Sequence, residues 1–311
     1  MGAKTGISWT TSTWNPVTGC DKVSDGCQLC YAEQVALRFA GTAAYPNAFD
    51  VTLRPERLDQ PLRWGKPRLV FVNSMSDIYH SEIPTDYVAQ MFAVMALAPR
   101  HIFQILTKRH GRMRSLLSSD AFVANVAEHT HRMWASMPGK REAAPEWIGS
   151  DRRDWMTWPL PNVWTGITVE DQAAANLRIP ALMETPAAVR WLSCEPLLGP
   201  VNLCRCDGSA FEVKRHPFLV NRACPLHGDT RLDWVVVGGE SGAGARPMET
   251  AWVESLRHQC AVADVPIFVK QMGTVWARQN GQPGKADTMD TLPEGLRIRE
   301  FPAGAEGLSV A

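Results

Sequence analysis

The chain has no net charge: of its 311 residues, 32 are Lys or Arg and 32 are Asp or Glu. No global field draws it to nucleic acid or to an anionic membrane, so any such binding has to rest on a local patch. It also lacks any apolar run near the roughly eighteen residues of a membrane span. Its opening, Met-Gly-Ala-Lys-Thr-Gly-Ile-Ser, lacks the apolar core of a signal peptide. These absences predict a cytoplasmic protein with no membrane segment. In a reducing compartment, eight cysteines that are clustered rather than spread favour metal chemistry over disulfides. A chain of this length can bury a large core, either as one α/β barrel or as two domains.

The densest feature is the stretch 14–31, in which Cys20, Cys27 and Cys30 stand among Gly19, Gly26 and other turn-forming residues. The C-x2-C pair can bring two sulfurs to one metal or cluster, and Cys20 can fold back to supply a third thiolate. A fourth ligand is missing locally, because the next candidate, His80, lies fifty residues on. A closed structural zinc site wants four ligands, whereas a four-iron cluster held by three cysteines leaves one iron open to a ligand. Three readings therefore stand: an open iron–sulfur cluster, a zinc ion completed from elsewhere, and structural thiols. A second group, Cys204-Arg-Cys206 and Cys224-Pro-Leu-His227, sits in a loop-rich insert over 203–231 with His216 as a substitute ligand. Its spacing suits a structural zinc better than an auxiliary iron–sulfur cluster, in which His is the rarer ligand.

Elsewhere, apolar runs alternate with helical periods. Strands are predicted at Ile7–Trp9, Leu69–Asn73, His101–Lys108, Asn162–Val169, Ala188–Cys194, Asp233–Val237 and Pro266–Val269. Helices are predicted at Tyr31–Phe39, Thr85–Leu97, Asp171–Met183 and Thr250–Ala263, with further helix up to about Met133. This repetition predicts an α/β fold, a partial (β/α) TIM-like barrel with parallel strands over residues 1–275, plus the small Cys/His insert. Residues 137–161 form a Trp- and Pro-rich insertion, with Trp147, Trp155, Trp158, Arg152 and Arg153, that reads equally as a lid or as an outer packing segment. Residues 276–311 are an extension, either a loose tail or a last docking strand near Leu296–Phe301.

The strand runs end in polar groups. Six of them would deliver Asp77, Lys108, Glu170, Glu195, Glu240 and Lys270 to the carboxyl-terminal mouth of a barrel, where βα barrels place their active sites. The plainer alternative is that charged residues simply begin the solvated loop or helix that follows each strand. The basic run Lys108-Arg109-His110-Gly-Arg112-Met-Arg114 could neutralise phosphate at that mouth, or be a solvated helix start, and Lys108 is the better placed because it sits at the strand end. Cys194, also at a strand end, reads as packing.

The cysteine loop, Asn73-Ser-Met-Ser-Asp-Ile-Tyr79 and Ile105-Leu-Thr-Lys108 together resemble a phage- and bacteria-borne family known by its three-cysteine motif. That family is similar to a divergent branch of the radical S-adenosylmethionine enzymes, nearest the spore photoproduct lyase type. The resemblance implies that Cys20, Cys27 and Cys30 hold a [4Fe-4S] cluster whose open iron chelates S-adenosylmethionine. Its reductive cleavage would then give a 5′-deoxyadenosyl radical that abstracts hydrogen from substrate. Asn73, Ser74, Ser76 and Asp77 would bind the methionine or ribose moiety, and Lys108, Glu195, Glu240 and Lys270 would serve the reaction. The departures are the C-x6-C spacing in place of C-x3-C, Leu29 where an aromatic is usual, and a Gly-Gly-Glu only at 238–240. The partners expected are a small electron donor, a nucleic-acid base or nucleotide as substrate, and a protein partner. The competing expectation is a non-catalytic, zinc-stabilised nucleic-acid-binding or interaction module.

Overall fold

The computed structural model describes residues 5–137, 157–203, 231–305 and Leu308. The Cys/His insert with Cys204, Cys206, Cys224, His227 and His216, and the Trp147 to Trp155 stretch, lie outside the described residues. Short β1 (Ser12–Trp14) is followed by a two-residue antiparallel pair, β2 (Val17–Thr18) and β3 (Thr52–Leu53), with α1 (Tyr31–Arg38) between them. Then come β4 (Leu69–Val72), α2 (Thr85–Leu97), β5 (Ile102–Thr107), α3 (His110–Leu117), α4 (Asp120–Ser136) and β6 (Val163–Thr168). The chain continues through α5 (Gln172–Met183), β7 (Val189–Cys194), β8 (Trp234–Gly238), α6 (Thr250–Ala263), β9 (Ile267–Gln271) and α7 (Thr274–Gln279).

Seven strands form one sheet in the order β1-β4-β5-β6-β7-β8-β9, every pair parallel. Spatial order follows chain order without reversal, so the sheet winds in one sense and curls into a half-barrel. A doubly wound sheet would instead show a switch point. The expected partial barrel is the observed fold. Leu69-Val-Phe-Val and Trp234-Val-Val-Val are buried throughout, as parallel strands covered on both faces require. Alternation within the strands divides the core. Val163, Ile167, Leu192, Val235 and Val237 face the helices, while Trp164, Trp191, Trp234 and Phe268 fill the concave side with Trp9 and Phe71. Cys194 belongs to the helix-side core, and its buried thiol is pushed upward by desolvation. No helix among the described residues is long and apolar enough to cross a membrane.

The first strand is not where apolarity put it. Ile7–Thr10 turns instead, and Trp9 plugs the concave face 4.7 Å from Phe71 and 5.2 Å from Trp191, ring centre to ring centre. The polar Ser12-Thr-Trp segment makes the ladder with β4. The long connection before β4 makes two 3₁₀ turns, Pro55–Arg57 and Gln60–Arg63. At the far edge, residues 298–300 run antiparallel along β9: Val269 N–H donates to Ile298 O at 2.9 Å, and Glu300 N–H donates to Ile267 O at 3.0 Å. Phe301 then stacks on Trp234 at 5.4 Å. The sheet edge is thereby covered.

His101 is fully buried before β5, with Nε2 donating to Pro61 O at 3.1 Å and Nδ1 unpartnered. Burial holds its ring well below the ordinary range, at about 4. The unfolded chain therefore binds the extra proton between about pH 6.5 and 4, so this contribution is intact above 6.5 and is lost as pH falls toward 4. Urea melts should show about 3 kcal/mol less stability at pH 4 from this group. A His101→Gln variant should show that much less pH dependence, and equal slopes in the two proteins would refute the assignment.

Candidate functional site

The cysteine loop lies across the carboxyl-terminal rim of the half-barrel, and most of its anchors follow strand ends. Gly19 N–H donates to Met75 O at 2.9 Å after β4, and Cys20 N–H donates to Phe49 O at 3.0 Å. Ser24 Oγ donates to Glu170 Oε1 at 2.5 Å after β6. Gly26 sits directly on that carboxylate: a β-carbon there would stand 2.6 Å from Glu170 Cγ, so no larger residue fits without displacement. Glu170 is itself buried and paired with Arg178 at 2.7 Å. After β8, Glu240 takes two bonds from the Arg246 guanidinium, at 2.6 and 2.9 Å, and Arg246 donates onward to Asp25 O at 2.9 Å. Burial works to raise the Glu240 carboxyl, but the Arg246 hydrogen bonds outweigh it and leave it below the ordinary range. The loop ends at Cys30, which caps the amino terminus of α1.

Two adjoining cavities open beneath it. One, of 150 Å³, is walled by Cys20, Cys27 and Cys30 together with Asn73, Ser74, Ser76 and Asp77. The other, of 450 Å³, lies over the concave face and is walled by Glu195, Glu240, Lys270 and Gln271, with Trp9 and Phe71 below. Cys30, Tyr31, Phe71, Leu106, Lys108 and Thr168 belong to both walls, so these are two lobes of one space. The larger lobe falls within the range of small-molecule sites.

The residues expected at this rim are all present but differ in what they offer. Asp77 is saturated: it accepts from Thr107 Oγ1 at 2.7 Å, Tyr79 N–H at 3.0 Å and Lys108 N–H at 3.1 Å, and lies 3.5 Å from Arg109. Ser76 Oγ donates to Val17 O, and Ser74 bonds Asn15 through Oγ and Tyr31 through its carbonyl. These three groups shape the wall. Asn73 is different. It is 3 % exposed, it holds a left-handed backbone at φ 57°, and neither atom of its side-chain amide has a partner. Asn tolerates that backbone better than most residues, but an unpaired buried amide is costly without a ligand to satisfy it. Glu195 and Lys270 form an ion pair at 2.6 Å across Gly238, the last residue of the strand between them. Lys108 Nζ stands 3.9 Å from Glu170, which already has a closer partner in Arg178. Glu170 walls neither lobe and acts through the loop it holds.

Sequence reasoning passed over Arg109, Arg178, Arg246, Tyr31 and His80 as site residues. Arg109 lay inside the basic run, yet only the structure shows its guanidinium on Asp21 and 3.5 Å from Cys20 Sγ. Burial pushes the Cys20 thiol up to about 11, partly opposed by Arg109, so ligation there would release a proton.

Metal geometry separates two occupants. Four ligands at about 2.3 Å around one zinc stand less than about 4 Å apart. Among the described residues, Cys20, Asp21 and His80 bring their ligand atoms within 4.8 Å of one another, near that limit. Two observations weigh against an ion there. Arg109 already occupies Asp21 and Cys20, and His80 Nδ1 accepts from Glu82 N–H at 3.2 Å, which leaves the ring proton on Nε2 facing Asp21 Oδ1 at 3.0 Å. Cys20, Cys27 and Cys30, free, half-exposed and on one wall of the smaller lobe, are the donor set that a cluster with one open iron requires.

No curated protein and no solved structure matches the chain. Residues 4–302 match the model of one family, described as a protein of unknown function, DUF5131. Because the match covers the cysteine loop, the strands β1 to β9 and the segment along β9, the chain belongs to the DUF5131 family.

Proposed function

We propose that this protein is an iron–sulfur enzyme of the radical S-adenosylmethionine type, acting on a nucleic-acid base or nucleotide. The observation that carries the reading is the smaller lobe, where three thiols share a wall with the unsatisfied Asn73 amide. Cys20, Cys27 and Cys30 would hold the cluster, and Asn73 would bond the amino-acid end of the cofactor, to which its amide offers both a donor and an acceptor. The chemistry that such a cluster would supply when bound is one-electron reduction of the sulfonium, with methionine and a 5′-deoxyadenosyl radical as products. The chain's own residues order the surroundings. Ser24–Glu170 and Arg246–Asp25 fix the thiol-bearing loop, Asp77 locks the ends of β4 and β5 together, and Lys108 places a cation in the wall common to both lobes. The aromatic concave face keeps the floor of the larger lobe dry. A zinc-stabilised binding module is the second reading, favoured by the closeness of Cys20, Asp21 and His80.

Anaerobic reconstitution decides between them. The expected result is a brown protein with about four iron and four sulfide per chain at this site. Its visible band should bleach with dithionite, and it should release 5′-deoxyadenosine from S-adenosylmethionine. Colourless protein that retains tight zinc through the same treatment would overturn the proposal.

A further inference from the structure

Within that reading, which this inference deepens, the larger lobe holds a polar pair that the cluster and its cofactor leave unused. Glu195 and Lys270 project from the ends of two strands that are not neighbours, and they meet over β8. The meeting depends on Gly238, where a β-carbon would stand 3.2 Å from Glu195 Cδ. Their side chains are 19 % and 14 % exposed, and both wall the cavity. Their mutual contact uses one carboxylate oxygen and one ammonium proton. Among the described residues no other hydrogen bond takes up Glu195 Oε2 or the remaining Lys270 protons, and both residues line the cavity. The lobe thus presents one acceptor beside one donor, above a floor that includes the rings of Trp9 and Phe71, with Tyr31 at its rim.

We infer that the Glu195–Lys270 pair reads the lactam edge of a planar heterocycle, accepting from its ring N–H and donating to the adjacent carbonyl. The aromatic floor supplies a face for stacking. A base with an amidine edge, a ring nitrogen beside an amino group, presents the opposite pattern when its sugar holds it in the same orientation: its ring nitrogen then faces the carboxylate and its amino group the ammonium. The substrate class is accordingly a uracil- or hypoxanthine-like base and not a cytosine- or adenine-like one.

Tryptophan fluorescence titration of the reconstituted full chain tests this with two matched pairs, uridine against cytidine and inosine against adenosine, each differing in that edge. The lactam member should bind about tenfold or more tightly in both pairs. Lys270→Met should erase the preference, and Lys270→Arg should retain part of it, with thermal melts showing that both variants are folded. Equal affinities within the pairs, tighter binding of adenosine or cytidine, or no saturable response to any of the four would overturn the inference. Iron content and 5′-deoxyadenosine release measured on the same samples keep the two readings apart. Cluster-loaded, cofactor-cleaving protein without edge preference removes the recognition pair alone, and edge preference in protein that takes up no iron removes the cluster alone.

Discussion

A Cys27→Ala protein is expected to release no 5′-deoxyadenosine from S-adenosylmethionine while melting within a degree or two of the unaltered chain. The two halves of that expectation have separate causes. Chemically, removing one of three thiolates leaves two, too few to hold a cubane with a single open iron. Structurally, Cys27 ends a short 3₁₀ turn, is only half buried, and makes one weak contact, 3.8 Å from Ser24 Oγ. The turn itself is held by Ser24 on Glu170 and by Arg246 on the Asp25 carbonyl, neither of which involves the sulfur. Surface substitutions of this kind change stability by about 0.5 kcal/mol or less. Iron analysis, the visible spectrum and chromatography of the nucleoside product check the first half, and a thermal melt checks the second. Turnover unchanged in this variant would remove the proposed chemistry.

The largest effect on stability is expected from Arg178→Met. Arg178 and Glu170 are 5 % and 2 % exposed, and Nη1 of the arginine also donates to Thr168 O at 2.8 Å. Methionine fills much of the same volume but strands the carboxylate in the interior, where breaking one side of a buried pair costs about 3–5 kcal/mol. Lys108, at 3.9 Å, offsets only part of this. Because Glu170 also receives Ser24, the variant should load iron poorly as well as unfold at lower denaturant. The double variant Arg178→Met/Glu170→Met should recover most of the stability and little of the iron binding, since the loop would still lack its anchor. Urea midpoints and iron content measure the two effects separately. A loss below about 1 kcal/mol in the single variant would mean that the pair is far more hydrated than its burial indicates.

The barrel was legible in the sequence because parallel strands buried on both faces must be written as unbroken apolar runs, and Leu69–Val72 and Trp234–Gly238 are. Apolarity misled at Ile7–Trp9, where the side chains serve as a plug and the strand that follows is polar. At the site, local spacing identified the thiols and strand-end position identified the charged rim. What spacing could not tell was which rim groups are spent. Asp77 and Asn73 lie in one short motif, yet one carboxylate is saturated by Thr107 and two backbone N–H groups while the neighbouring amide is bare. That difference is set by β5, some thirty residues away. Arg246 carried no signal at all, because its role depends on reaching a carbonyl that only the fold brings near.

The distances along the chain between the cysteine loop and its anchors also bear on how the protein is made. Ser24 waits for a residue 146 positions later, and Asp25 for one 221 positions later. On a ribosome that releases the polypeptide from its amino end, the three sulfurs emerge well before the residues that fix them. A thiol-reactive trap or a competing metal thus meets them in the nascent chain, before the rim that shields them exists.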